Sequence, residues 1–274
     1  MSYANILVST DLGEGAPDRI GLAADLAARF DASLTGAAAR KVPTPILVRD
    51  VCDAIAREGR LKAQVQAILE QARASFERGA GDGSRTDWRA GFADPVAHLI
   101  EQARAADLVV VSRWGPGDED PGPLGVPPGP VVMEAGRPVL VVPPRTARLK
   151  ASRIVVAWKD GPEARRAASA ALPLMRAAAQ VFVATVGSDA GHEGAEDVAK
   201  HLARHLARHG THVTAHFLHT ADDDGSEILR FALLQDADLI VLGAFGHSRL
   251  REWMFGGVTR DVLDRSPLCC LMCH

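Results

Sequence analysis

One order of elements occurs twice in this chain, and that doubling limits its fold more than any other feature of the sequence. Asn5-Ile-Leu-Val-Ser-Thr-Asp11 and Arg153-Ile-Val-Val-Ala-Trp-Lys159 both read as short buried strands. Each leads through a glycine-containing turn into an alanine-rich helical stretch, at 18–30 and at 162–179. A second strand follows each helix, Ala32-Ser-Leu-Thr-Gly-Ala-Ala38 and Gln180-Val-Phe-Val-Ala-Thr-Val186. Later come Ala106-Asp107-Leu-Val-Val-Val111 and Ala237-Asp238-Leu-Ile-Val-Leu242. Arg137-Pro138-Val-Leu-Val-Val142 and Ser266-Pro267-Leu-Cys-Cys-Leu-Met272 close the two series. This is a tandem duplication.

Continuous apolar strands alternating with helices predict parallel sheets covered on both faces. Right-handed crossovers then narrow the topology to a doubly wound α/β sheet in each repeat. Two prolines, Pro143 and Pro144, end a strand and begin a polar, basic link, which sets the expected domains at 1–147 and 148–274. The halves differ most after their second strands. The first has a long helical pattern over 51–79, with Val65, Ile68 and Leu69 at helical spacing; the second has a shorter one over 195–209. Third strands are expected near Thr86 to Arg89 and His212 to Phe217, with Asp94 and Ser226 as N-caps of the helices that follow.

Composition mainly excludes. A formal net charge of -3 on 274 residues gives no pull toward nucleic acid or an anionic membrane. No apolar run approaches the roughly 20 residues of a membrane span. The strand pattern begins within a few residues of Met1, with no basic or cleavable apolar segment before it, and four cysteines make no disulfide framework. The expectation is a cytoplasmic protein.

The segment carrying most chemical information is Leu239-Ile-Val-Leu-Gly243-Ala-Phe-Gly246, followed nine residues later by Gly256-Gly257-Val-Thr259. Glycines lack Cβ, so backbone N–H groups can approach an anion closely, and a helix N-terminus beside them adds unpaired donors. Gly-x2-Gly-x9-Gly after an apolar strand, with Asp238-Leu-Ile-Val-Leu before it and Ser266-Pro-Leu to Met272 after it, resembles the universal stress protein family. That resemblance implies five parallel strands per domain in the order 3-2-1-4-5, and two repeats standing for a family homodimer as a pseudo-dimer within one chain. It also implies a stress-response or regulatory protein that binds a ligand or a protein partner, with further dimerisation an option.

Nucleotide-binding family members place Asp at the end of the first strand, where it accepts from ribose hydroxyls, and Ser or Thr after the last glycine. In the first repeat Asp11 matches, but its loop, Ser112-Arg-Trp-Gly115 onward to Pro130, has Ser112 for the first glycine. Prolines there remove donors, and Asp118, Glu119 and Asp120 add negative charge. The second repeat keeps the glycines but has Lys159 at the Asp position, Asp160 next to it, and Gly257 after Gly256. The expected site, for ATP or another adenine nucleotide with its Mg²⁺, is therefore Gly243, Gly246, Gly256, Gly257 and Thr259 around the phosphates, with Lys159 and Asp160 at the adenosine end. Arg249 and Arg251 are further phosphate partners. The alternatives are a non-nucleotide-binding scaffold of the same fold and a slow ATPase; no nucleophile–base pairing supports any other enzyme.

Three clusters invite other readings. Cys269-Cys-Leu-Met-Cys273-His274 contains C-x-x-C-H, but the run lies on the expected last strand, Cys269 and Cys273 facing one side and Cys270 the other. His201, His205 and His209 share one helix face, yet Arg204 and Arg208 interleave, which reads as a solvated face. The acids Asp222, Asp223 and Asp224 precede a helix and suit its positive end. No metal site is expected from any of them.

Overall fold

The computed structural model describes residues 2–46, 48–81, 85–187, 192–219, 223–246 and 257–274. The apolar runs form strands and the alanine-rich stretches form helices, alternating within each half. The first half contains β1 (Asn5–Ser9), α1 (Ala16–Phe30), β2 (Ser33–Ala39), α2 (Val51–Ala80), β3 (Thr86–Gly91), α3 (Pro95–Gln102), β4 (Leu108–Ser112), α4 (Pro128–Glu134) and β5 (Val139–Val142). The second half contains β6 (Arg153–Ala157), α5 (Pro162–Met175), β7 (Gln180–Gly187), α6 (His192–Arg208), β8 (Val213–His219), α7 (Asp224–Leu234), β9 (Leu239–Gly243), α8 (Val258–Arg265) and β10 (Cys269–Cys273).

Each half is a Rossmann-like α/β unit with its strands in the expected order. The halves, however, share one sheet, ordered β3-β2-β1-β4-β5-β10-β9-β6-β7-β8. All neighbours are parallel except β5 and β10, which pair antiparallel at Val141–Cys270, Leu140–Leu271 and Val139–Met272. Strand directions therefore reverse at the centre, and the carboxyl ends of the two halves lie on opposite rims. Helices α1, α2, α5 and α6 cover one face of the sheet, and α3, α4, α7 and α8 the other. The core on each face draws residues from both halves, Leu140 and Leu271 on one and Val141 and Cys270 on the other.

Local chemistry repeats along with topology. The Asp of each Ala-Asp pair before the fourth strand ties down the start of the first. Asp107 accepts from the backbone N–H of Ala4 (2.7 Å) and Asn5 (3.0 Å), and Asp238 accepts from Ser152 (2.9 Å) and Arg153 (3.3 Å). Asp94 caps α3 as expected, accepting from Val96 and Ala97. Ser226 does not cap α7. Asp223 takes that place, accepting from Gly225 N–H at 3.0 Å, while the Ser226 hydroxyl donates back to Asp223 inside the first turn. A carboxylate is the stronger acceptor for exposed amides at a helix start. Helix α5 ends at Met175, short of the expected 179, two residues after the in-helix Pro173. No helix among the described residues is long and apolar enough to cross a membrane.

Candidate functional site

Strands β6 and β9 lie side by side, so their carboxyl ends bring Lys159, Asp160 and Gly161 next to Gly243 and Gly246. What decides the geometry there is the first turn of α5. A Cβ at Gly243 would stand 2.5 Å from the backbone nitrogen of Ala164 and 2.8 Å from its Cα. Glycine at 243 therefore lets the helix close on the strand. The side chain of Glu163 then runs across all three glycines. Its Cγ lies 2.7 Å from a Cβ built at Gly243, and its Oε1 lies 2.5 Å from Cβ atoms built at Gly161 and at Gly246. Space that glycine leaves open for an anion thus holds a carboxylate of the chain itself, at a helix N-terminus whose dipole favours it.

The other expected residues are arranged as follows. Asp160 is exposed and bound in a two-point ion pair by Arg165, Nε to Oδ1 at 2.9 Å and Nη2 to Oδ2 at 2.7 Å. That guanidinium holds its carboxyl below the usual range. Lys159 is exposed. Gly257 is the N-cap residue of α8 and Thr259 sits half-buried in that helix's first turn. Gly256, Arg249 and Arg251 lie outside the described residues. The loop leaves β9 through Phe245, which has a left-handed φ of 54°. A bulky residue there is strained by about 1–3 kcal/mol. Beside it, the C-terminal His274 meets the Ala244 carbonyl through Nδ1 (3.1 Å) and the Phe245 ring edge-on.

In the first half the corresponding rim is sealed. Asp11 is buried and paired with Arg19 of α1 at 2.6 Å, their side chains 4% and 3% exposed. Its other oxygen accepts from Gly13 N–H, and Arg19 Nε also donates to the Ser9 carbonyl. The loop after β4 folds down over this pair, placing Pro121 Cα 3.4 Å from a Cβ built at Gly13. The same loop is fastened to the second half. Arg113 donates to the Ser266 carbonyl at 2.9 Å, and a Cβ on Gly115 would fall 1.9 Å from the Asp264 carbonyl oxygen. Asp118, expected as a free repelling charge, instead holds the loop together. Burial pushes its carboxyl up, but hydrogen bonds from Arg113 and Gly115 N–H bring it below the usual range.

The universal stress protein family model matches residues 150–274. Residues 150–274 are a universal stress protein domain. The whole chain shares its fold with a universal stress protein from Archaeoglobus fulgidus DSM 4304, at 18% identity over 98% of this chain and 95% of that one, with a TM-score of 0.71. A functionally unknown protein from Pseudomonas aeruginosa PAO1 is 18% identical over 99% of this chain and 92% of its own, with a TM-score of 0.57. A universal stress protein in complex with cAMP is 26% identical over 52% of this chain and 98% of its own, with a TM-score of 0.35. A search of curated proteins gave no match.

In this universal stress protein domain the described residues fit a nucleotide phosphate poorly. Gly161 and Gly246 face Glu163, Gly243 faces helix backbone, and Asp160 is engaged by Arg165. Sequence reasoning missed Glu163, Arg165 and Arg19. Glu163 reads as an ordinary first-turn acid, and nothing near it in sequence points to glycines some eighty positions away. Arg19 did leave a signal: a cation among Ile20, Leu22 and Ala23 on the buried side of α1. Among the described residues no group of three or more His, Cys, Asp or Glu is placed to hold a metal ion.

Proposed function

We propose that this chain is a cytoplasmic stress-response binding protein that keeps the nucleotide-binding fold without depending on a nucleotide. It acts through the surface it offers to a protein partner rather than by turnover. The observation that carries this reading is the Glu163 carboxylate lying against Gly161 and Gly246, an internal anion where an external one would bind. The sealed Asp11–Arg19 pair extends the same reading to the first half. In each half a charged side chain of the chain itself occupies the strand-end rim, Glu163 in the second and Arg19 in the first.

A second reading, an adenine nucleotide with Mg²⁺ at the rim of the second half, is favoured by the strained Phe245. Strain of that kind gathers in loops that must hold a special shape. Occupancy would then stiffen the glycine loop and alter the surface seen by partners. Native mass spectrometry of the purified chain, with thermal unfolding in Mg-ATP, separates the two. A ligand at 100 times its Kd adds about 2.7 kcal/mol, which is several degrees in a chain of this size. We expect no bound nucleotide, no shift for the wild type, and a gained response in Glu163→Ala. One nucleotide per wild-type chain, or a saturable shift with Mg-ATP, overturns the internal-anion reading in favour of the second.

A further inference from the structure

We infer that the groove between α5 and α6 is a binding site for a small carboxylic acid with a compact apolar body, separate from the glycine loop and beyond the function proposed above. The starting point is a difference between the halves. In the first half α1 and α2 pack closely: a Cβ at Gly79 would lie 2.7 Å from Ile20 Cγ2. In the second half α5 and α6 stand apart around a cavity of about 400 Å³. That volume falls within the roughly 300–1,000 Å³ of small-ligand pockets.

The walls define the chemistry of the occupant. Ala168, Leu172, Leu202 and Leu206 give a floor without polar side-chain atoms, suited to a ring or a branched chain. Trp158 forms the inner wall. It is 7% exposed, and its indole N–H is buried with no acceptor among the described residues. That nitrogen is fully enclosed, so Trp158 offers the groove apolar ring surface rather than a donor. The mouth carries the donors. His201 and His205 stand one helical turn apart on one face of α6, and Arg165 faces them from α5. Asp160 is the one carboxylate in the described lining, and Arg165 already neutralises it. Apolar below and rich in donors above, with its single acid satisfied, the groove suits an apolar carboxylate better than a neutral or cationic molecule.

The test uses the full chain and three probe acids, phenylacetate, 4-hydroxybenzoate and indole-3-acetate, each against its primary amide, by calorimetry and tryptophan fluorescence. Ser169 lies exposed at the groove's edge, so Ser169→Phe blocks the groove without entering the core. His205→Ala removes one donor. We expect at least one acid to bind tighter than about 1 mM and at least tenfold tighter than its amide. Ser169→Phe should abolish that binding and His205→Ala weaken it severalfold, with Mg-ATP failing to compete. The inference is overturned if no acid binds, if amides bind equally well, or if Ser169→Phe binds like the wild type. Competition by Mg-ATP would assign the acid to the glycine-loop rim instead, and would also overturn it.

Discussion

Asp11 and Arg19 show how a carboxylate at a strand end serves structure alone. Buried there, it must find a partner within the chain, because an isolated buried charge is too costly to keep. Arg19 supplies that partner from the end of the first turn of α1. Replacing Arg19 with Ala should cost about 3–5 kcal/mol in urea unfolding, since it strands the buried carboxylate. The double variant Asp11→Asn, Arg19→Met should recover most of that loss, since a buried pair often contributes little over an apolar replacement. Equal destabilisation of the single and double variants would show the pair to be a net source of stability. In sequence, Asp11 was legible as the residue that ends an apolar strand and matches a family position. Its pairing was not, because the residue that settles its role lies eight positions away, across a turn whose shape the sequence does not reveal.

At the scale of elements, the glycines that Glu163 touches serve different purposes. Gly243 admits the backbone of α5, whereas Gly246 admits only the flexible tip of Glu163. Gly243→Ala must push a helix off a buried strand, and should destabilise the chain by roughly 1–3 kcal/mol. Gly246→Ala should cost less, and its cost should shrink further in a Glu163→Ala background. A double-mutant cycle read by unfolding free energies checks this, and additivity between the two sites would mean that they do not touch. Helix alternation and the Asp94 cap could be read from periodicity and residue type, which are local signals, whereas the strand order followed only from the family resemblance. The features that moved did so locally too: Asp223 outcompeted Ser226 as a cap, and α5 closes in tight turns, Ala177 N–H to the Leu174 carbonyl and Ala178 N–H to that of Met175. Side-chain occupancy of the glycine loop is a long-range fact, and spacing alone suggested a vacancy.

For the whole molecule, the antiparallel seam between β5 and β10 joins what reads in sequence as two domains into one sheet with two shared cores. The chain should therefore unfold in a single transition, its denaturant slope matching the full 274 residues. The three thiols of β10 make that transition sensitive to pH. Burial pushes Cys270 and Cys273 up from 9.0 to about 12, and raises Cys269 as well. The folded state thus keeps protons that the unfolded chain releases above pH 9, so stability should be flat near neutrality and fall as pH rises from about 9 toward 12. Urea midpoints across that range check it. Two separate transitions, or a midpoint unchanged through pH 11, would contradict a central strand that unfolds with both halves. The seam has one more consequence. In a symmetric pair of identical chains, every substitution is made twice, so a rim cannot be sealed on one side alone. Here a single covalent chain carries both copies with their rims facing opposite ways, and each edit is made once. One end could close over Asp11 while the other stayed free to change.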